Sequence, residues 1–133
     1  MSSQSLATVQ EFNDAMVAGK IRLDLIDPDV VIVDHDIPDA GDYQGHKGLG
    51  KWLEDWGAAW ESYTIEPESL EENGEVVLST FTITARGRGS GAEIRRRNAT
   101  LNTVKDGRVS RIEYYSTPDE ARTAAGLEQV TGS

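Results

Sequence analysis

Val30-Val31-Ile32-Val33-Asp34-His35-Asp36 decides the fold. Four β-branched residues in a row read as a short strand buried on both faces. The run then gives out into three ionisable residues. A strand that ends this way has either met water or reached the floor of a polar pocket. Upstream, Glu11 through Val17-Ala18-Gly19-Lys20 to Asp27-Pro28-Asp29 reads as a helix, a tight turn and a second short helix. Downstream, Pro38, Gly41 and Gly45 mark a loop.

The first helix is expected to run to about Ala18, capped by Ser3 or Ser5 and closed by Gly19. Leu6, Val9, Phe12, Met16 and Val17 fall on one broad face. Asn13 lies inside that apolar arc, either as a core amide satisfied by backbone or as a hydrogen bonder facing a pocket. A second long helix is expected over residues 46–60, with Leu49, Trp52, Leu53, Trp56 and Trp60 on its buried face. Tryptophans on such a face are core first, but one or two of these are expected to border a cavity. His46 reads as part of a solvated helix start.

Beyond Tyr63 the period changes to that of strands, over residues 64–70, 76–85, 92–104 and 109–115. Asn73-Gly74 and Asp106-Gly107 are hairpin signals. Gly87-Arg88-Gly89-Ser90-Gly91 joins two strands, so it reads as a flexible hairpin and not as a phosphate-binding turn. Residues 76–83 are apolar on both faces, which predicts a sheet covered by helices on one side and by a second subunit on the other. Thr117-Pro118-Asp119-Glu120 combines a cap, a proline at the first helical position and a capping-box acid. That last helix should end at Gly126, and the tail after Leu127 should fray.

A chain of 133 residues with 38% hydrophobic and 27% charged residues suits one globular domain with its own core. No apolar run approaches the ~20 residues of a membrane span, and Met1 to Gln10 lacks a secretory layout. A cytoplasmic location is the default expectation. The absence of cysteine removes disulfide and thiolate chemistry. Two histidines and scattered carboxylates specify no metal site. A net charge of −10 disfavours nucleic acid and anionic membranes as partners. The basic cluster Arg86, Arg88 and Arg95-Arg96-Arg97 alternates between strand faces, and is expected to pair with the acidic surplus or with a partner subunit.

Helix, turn, short helix and a strand ending in Asp34, then Gly41-Asp42-Tyr43-Gln44-Gly45 before a Trp-bearing helix, form an order that resembles a known family. With the glycine hairpin, Lys105-Asp106-Gly107-Arg108 and Glu113-Tyr114-Tyr115, it is similar to the SnoaL-like branch of the nuclear transport factor 2-like superfamily. The likeness covers residues 6–127 of a single domain spanning 1–133. It implies an α+β cone: a curved mixed sheet wrapped around the N-terminal helices, with a pocket between them. In the related ketosteroid isomerases the general base is an aspartate at the end of the first strand, which the resemblance carries onto Asp34. Glu113 resembles by position an acid used by epoxide hydrolases of this fold, and a salt bridge to a nearby arginine is its alternative role. The isomerases' helix tyrosine is replaced by Phe12 and their later strand aspartate by Thr100 or a neighbour, so steroid isomerisation is not expected. The Arg-x-Asp of the epoxide hydrolases is missing from Ser79-Thr80-Phe81-Thr82.

A desolvated carboxylate is a better proton acceptor than a solvated one, which suits Asp34 to the role of base. His35 could relay a proton, although neighbours on a regular strand point to opposite faces. On the third long strand Arg96, Asn98, Thr100 and Asn102 share a face, and this polar row either lines the pocket or meets solvent. On the last strand Arg111, Glu113 and Tyr115 share a face opposite Ile112 and Tyr114. The expected site therefore has Asp34, His35 and Glu113 as catalytic groups. Phe12, Asn13, Trp56, Asn98, Thr100, Asn102 and Tyr115 are expected to contact the ligand. The leading expectation is a cofactor-free, homodimeric acid–base enzyme acting on a small, apolar, polyketide- or terpenoid-like molecule. The alternative is a non-catalytic binding or interaction domain of the same fold.

Overall fold

The computed structural model describes residues 3–35, 43–58 and 60–127. Asp36, Pro38, Gly41 and Asp42, and the tail after Leu127, lie outside them, as does the expectation that the tail frays. Helix α1 (Ser3–Val17) leads through a 3₁₀ turn (Leu23–Leu25) into β1 (Ile26–Asp34). Then come β2 (Tyr43–Gln44), α2 (Gly45–Gly57), β3 (Trp60–Asn73), β4 (Val76–Gly87), β5 (Glu93–Lys105), β6 (Arg108–Tyr115) and α3 (Pro118–Ala124). The strands form one curved mixed sheet in the order β2-β1-β6-β5-β4-β3. Strands β3 to β6 form an antiparallel meander, while β1 runs parallel to β6. The fold is therefore the expected α+β arrangement.

One face of the sheet packs against α1 and α2. Val9 and Phe12 of α1 and Leu49 and Trp52 of α2 meet Ile26, Val30, Ile32, Val77, Val104, Ile112 and Tyr114 from the strands. On the outer face, Leu78, Ala99, Leu101 and Tyr115 are covered by Ala121 of α3. This changes the account of the two-sided apolar pattern of residues 76–83, for which a partner subunit was expected. The chain's own last helix takes up that second apolar row.

The turn residues behave as their chemistry requires. Asp106 and Gly107 both have positive φ (53° and 77°), the signature of a type I′ turn between β5 and β6. Thr117 caps α3 by accepting the Glu120 amide. Strand β3 lies at the sheet edge, where Pro67 costs no ladder bond and Glu61, Glu66, Glu68, Glu71 and Glu72 discourage pairing with other chains.

Three expectations need correction. α1 begins at Ser3, so Ser5 lies within the first turn and is not the cap. α2 stops at Gly57 and Trp60 opens β3. The helical spacing read past the helix end because Trp60 follows Trp56 by four residues, and its ring still meets that of Trp56 from the strand (centroids 6.3 Å apart). Arg88 holds this junction by donating to the carbonyls of Ala58 and Trp60. Finally, His46 is half-buried, with its Nε2 3.0 Å from the Ile26 carbonyl, which ties the start of α2 to β1. Two of the five arginines of the basic cluster pair with acids, Arg97 with Glu68 (3.0 Å) and Arg86 with Glu93 (3.9 Å), while Arg88 is taken up by backbone carbonyls.

Candidate functional site

Between the helices and the sheet lies a cavity with about 100 Å³ of free space. Phe12, Met16 and Val17 of α1 and Leu49, Trp52, Leu53 and Trp56 of α2 form its roof. Ile65, Pro67, Phe81, Ile83, Ile112 and Tyr114 form its apolar floor, with Asn13, Ser79, Thr100 and Asn102 as its polar groups. Val17 is half exposed, which puts it at the rim. A cavity of about 150 Å³ holds benzene, so this smaller space takes only part of a ring, with the rest reaching out past the rim.

The polar groups come in two pairs. Asn13 Nδ2 donates to Ser79 Oγ at 2.9 Å. Asn102 Nδ2 donates to Thr100 Oγ1 at 3.2 Å and to the Val77 carbonyl at 3.4 Å. Ser79 and Asn102 are buried.

Asp34 is only 5% exposed, and its Oδ2 accepts from Trp52 Nε1 at 2.8 Å. It sits beside Tyr114 in the β1–β6 register. The Trp52 ring, edge-on to Tyr114 at 6.0 Å, separates this carboxylate from the cavity it lines.

The remaining expected catalytic groups are on the other face of the sheet. His35 Nε2 lies 3.1 Å from Glu113 Oε1, Tyr115 OH donates to the same oxygen at 3.4 Å, and Arg111 Nε stands 3.6 Å from Oε2. The His35 ring stacks on Tyr115 at 4.4 Å. Burial, and then the nearby Glu113 charge, raise the Tyr115 hydroxyl above its ordinary pKa. The structure thus brings His35, Glu113 and Tyr115 together, but apart from Asp34 and outside the cavity. The reason is strand alternation: neighbours in sequence face opposite sides.

Of the expected ligand-contacting residues, Phe12, Asn13, Trp56, Thr100 and Asn102 line the cavity. Asn98, fully buried, instead donates to the Ser116 carbonyl at 2.9 Å and fastens β5 to the end of β6. Trp52, Ser79, Phe81 and Tyr114 were not singled out as site residues. A signal existed for Ser79, a hydroxyl in a run otherwise fit for core, and for Trp52, one helical turn before Trp56. Among the described residues no cluster of three or more His, Asp or Glu side chains could hold a metal, and no helix is long and apolar enough to cross a membrane.

A mixed sheet enclosing an apolar cavity against two helices defines the class. The chain belongs to the SnoaL-like domain family, whose model matches residues 9–112. No curated protein matches the sequence. Among solved structures, a nuclear transport factor 2-like protein from Burkholderia thailandensis is similar with a TM-score of 0.76 at 19% identity, over 93% of this chain and 98% of that one. TerC, co-crystallised with polyporic acid, gives 0.74 at 18% over 93% and 99%. A putative SnoaL-like polyketide cyclase from Jannaschia gives 0.73 at 17% over 95% and 94%. At these identities the likeness establishes the fold alone.

Proposed function

We propose that this chain is an acid–base enzyme acting on a small, mostly apolar, polyketide- or terpenoid-like molecule, with Asp34 as the proton acceptor. One observation carries the proposal: a buried carboxylate is held by the indole N–H of Trp52, whose ring is also a wall of the apolar cavity. Burying a carboxylate is costly unless donors hold it, so a domain gains little from one there without a use for it. A shift of the Trp52 ring would put ligand and carboxylate in contact. Trp56, Phe12 and the two amide–hydroxyl pairs would hold and orient the ligand. That TerC was co-crystallised with polyporic acid supports a small-molecule role for the cavity. His35, Glu113 and Tyr115 would act on the outer face, by steadying the end of β1.

A second reading is binding without turnover. It is favoured by the absence of Asp34 from the cavity lining and by the engagement of its Oδ2 with the indole. Screening cyclic ketones and polyketide fragments by tryptophan fluorescence, then following turnover of those that bind, separates the two. The enzyme reading expects Asp34→Asn to bind and lose nearly all turnover. Equal turnover by the variant would remove Asp34 from the mechanism.

The homodimer is also proposed, through the part of the outer face that α3 leaves uncovered. There the Arg97–Glu68 pair of β5 and β3 lies at the surface over the buried Thr82 of β4. Sedimentation as a dimer at micromolar concentration is expected, and a clean monomer would overturn it.

A further inference from the structure

We infer that His35 and Glu113 form a proton-dependent clamp on the outer face of the sheet, which sets how firmly Asp34 and Trp52 hold each other on the inner face. The clamp adds control by a proton to the steadying role proposed above, and it does not depend on Asp34 doing chemistry.

β1 ends at Asp34, and His35 continues its pairing by one step, the His35 amide donating to the Tyr114 carbonyl at 2.9 Å. The two side chains leave the strand on opposite sides of the sheet. Asp34 points inward and accepts from Trp52 Nε1 at 2.8 Å. His35 points outward, with Nε2 3.1 Å from Glu113 Oε1 and its ring stacked on Tyr115 at 4.4 Å. One short piece of backbone therefore carries both contacts. Asp34 cannot draw back from the indole by moving that backbone without pulling His35 against Glu113 and Tyr115.

Histidine changes charge between about pH 5 and 8. A carboxylate only accepts, so Nε2 carries a hydrogen in both charge states of His35. The proton that comes and goes is the one on Nδ1, and the bond to Glu113 survives its loss. With the ring protonated, opposite charges add to that bond; with it neutral, the hydrogen bond remains without them. The other groups facing the pair hold still in this range. Arg111 takes the second oxygen of Glu113, with Nε 3.6 Å from Oε2, and keeps the carboxylate in place. Burial, then Glu113 and, more weakly, Glu120 of α3 raise the Tyr115 hydroxyl above its ordinary pKa, so it stays neutral. As pH rises through the His35 titration, the hold on the end of β1 weakens, and the Asp34–Trp52 contact weakens with it. The cavity wall that Trp52 forms is then loosest on the alkaline side.

The test follows hydrogen exchange of the Trp52 indole N–H by NMR across the titration of the His35 ring, both read in the wild-type protein. Without a clamp, exchange rises in simple proportion to hydroxide. With it, a further rise of about two- to fivefold, the worth of a partly exposed ion pair, should follow the His35 midpoint. His35→Gln can still donate to Glu113 but cannot titrate, so it should remove the extra step and keep the proportional rise. The neutral wild-type ring should carry its hydrogen on Nε2, which its ring-nitrogen shifts report. Wild-type exchange in simple proportion to hydroxide through the His35 midpoint overturns the clamp. A neutral ring protonated on Nδ1 overturns the His35–Glu113 bond beneath it. Both wild-type readouts require no variant to fold, and neither bears on Asp34 as a proton acceptor.

Discussion

Asp34 and Trp52 form the pair on which the site depends. Removing the donor with Trp52→Phe leaves a buried carboxylate short of one hydrogen bond, a loss of roughly 1.5–3 kcal/mol for a bond to a charged group. Urea denaturation at pH 7 should show that loss, and it should shrink in an Asp34→Asn background; an equal loss in both would show that the two side chains are not coupled. Glu68 makes a separate prediction. Hydrogen bonds from Thr82 and then Arg97 hold its carboxyl below the ordinary value of 4.5. A lowered folded-state pKa supplies stability that is full above the unfolded value and is lost as pH falls through the folded one. Thermal melts of the wild type should therefore lose stability below about pH 4.5, and Glu68→Gln should flatten that limb; an unchanged acid limb would remove Glu68 from the balance. At this scale the sequence was partly legible. A strand running into Asp34 marked the carboxylate, but its partner Trp52 follows 18 residues later, a separation that no local pattern spans. Alternation divided Tyr114 from Tyr115 without saying which faced inward, and the parallel pairing of β1 with β6 decides that.

At the scale of elements, two of the glycines in α2, Gly48 and Gly50, have opposite consequences. A Cβ on Gly48 would come within 2.9 Å of the Tyr43 backbone, whereas one on Gly50 would meet nothing within 4 Å. Gly50→Ala should stabilise the protein by ~0.5–1 kcal/mol through helix propensity. Gly48→Ala should destabilise it by pushing β2 away from the helix. Chemical denaturation of the two variants checks both signs, and equal effects would contradict the tight β2–α2 contact. Helix and strand identities, the Asp106-Gly107 turn and the Thr117 cap were readable because each depends on a few neighbouring residues. The end of α2 was not, because Trp60 keeps the helical spacing while belonging to a strand.

At the scale of the whole molecule, the sheet keeps two sets of groups apart. The inner face holds the cavity, Asp34 and the two amide–hydroxyl pairs; the outer face holds the His35–Glu113–Tyr115 cluster and α3. Residues grouped by chemistry in the sequence are divided by the sheet's pleat, which explains why the fold was more legible than the site. A ligand bound only by the folded cavity should raise stability by about 2.7 kcal/mol at a hundredfold excess over its Kd. The central claim is that Asp34 removes a proton from a ligand in that cavity. The most direct measurement follows hydrogen–deuterium exchange by NMR, in deuterated water, for cyclic ketones that bind the cavity. The account predicts faster exchange at one ring carbon with the wild-type protein, and exchange at the solvent rate with Asp34→Asn despite retained binding. Exchange at the solvent rate with both proteins, for ligands that do bind, would contradict it.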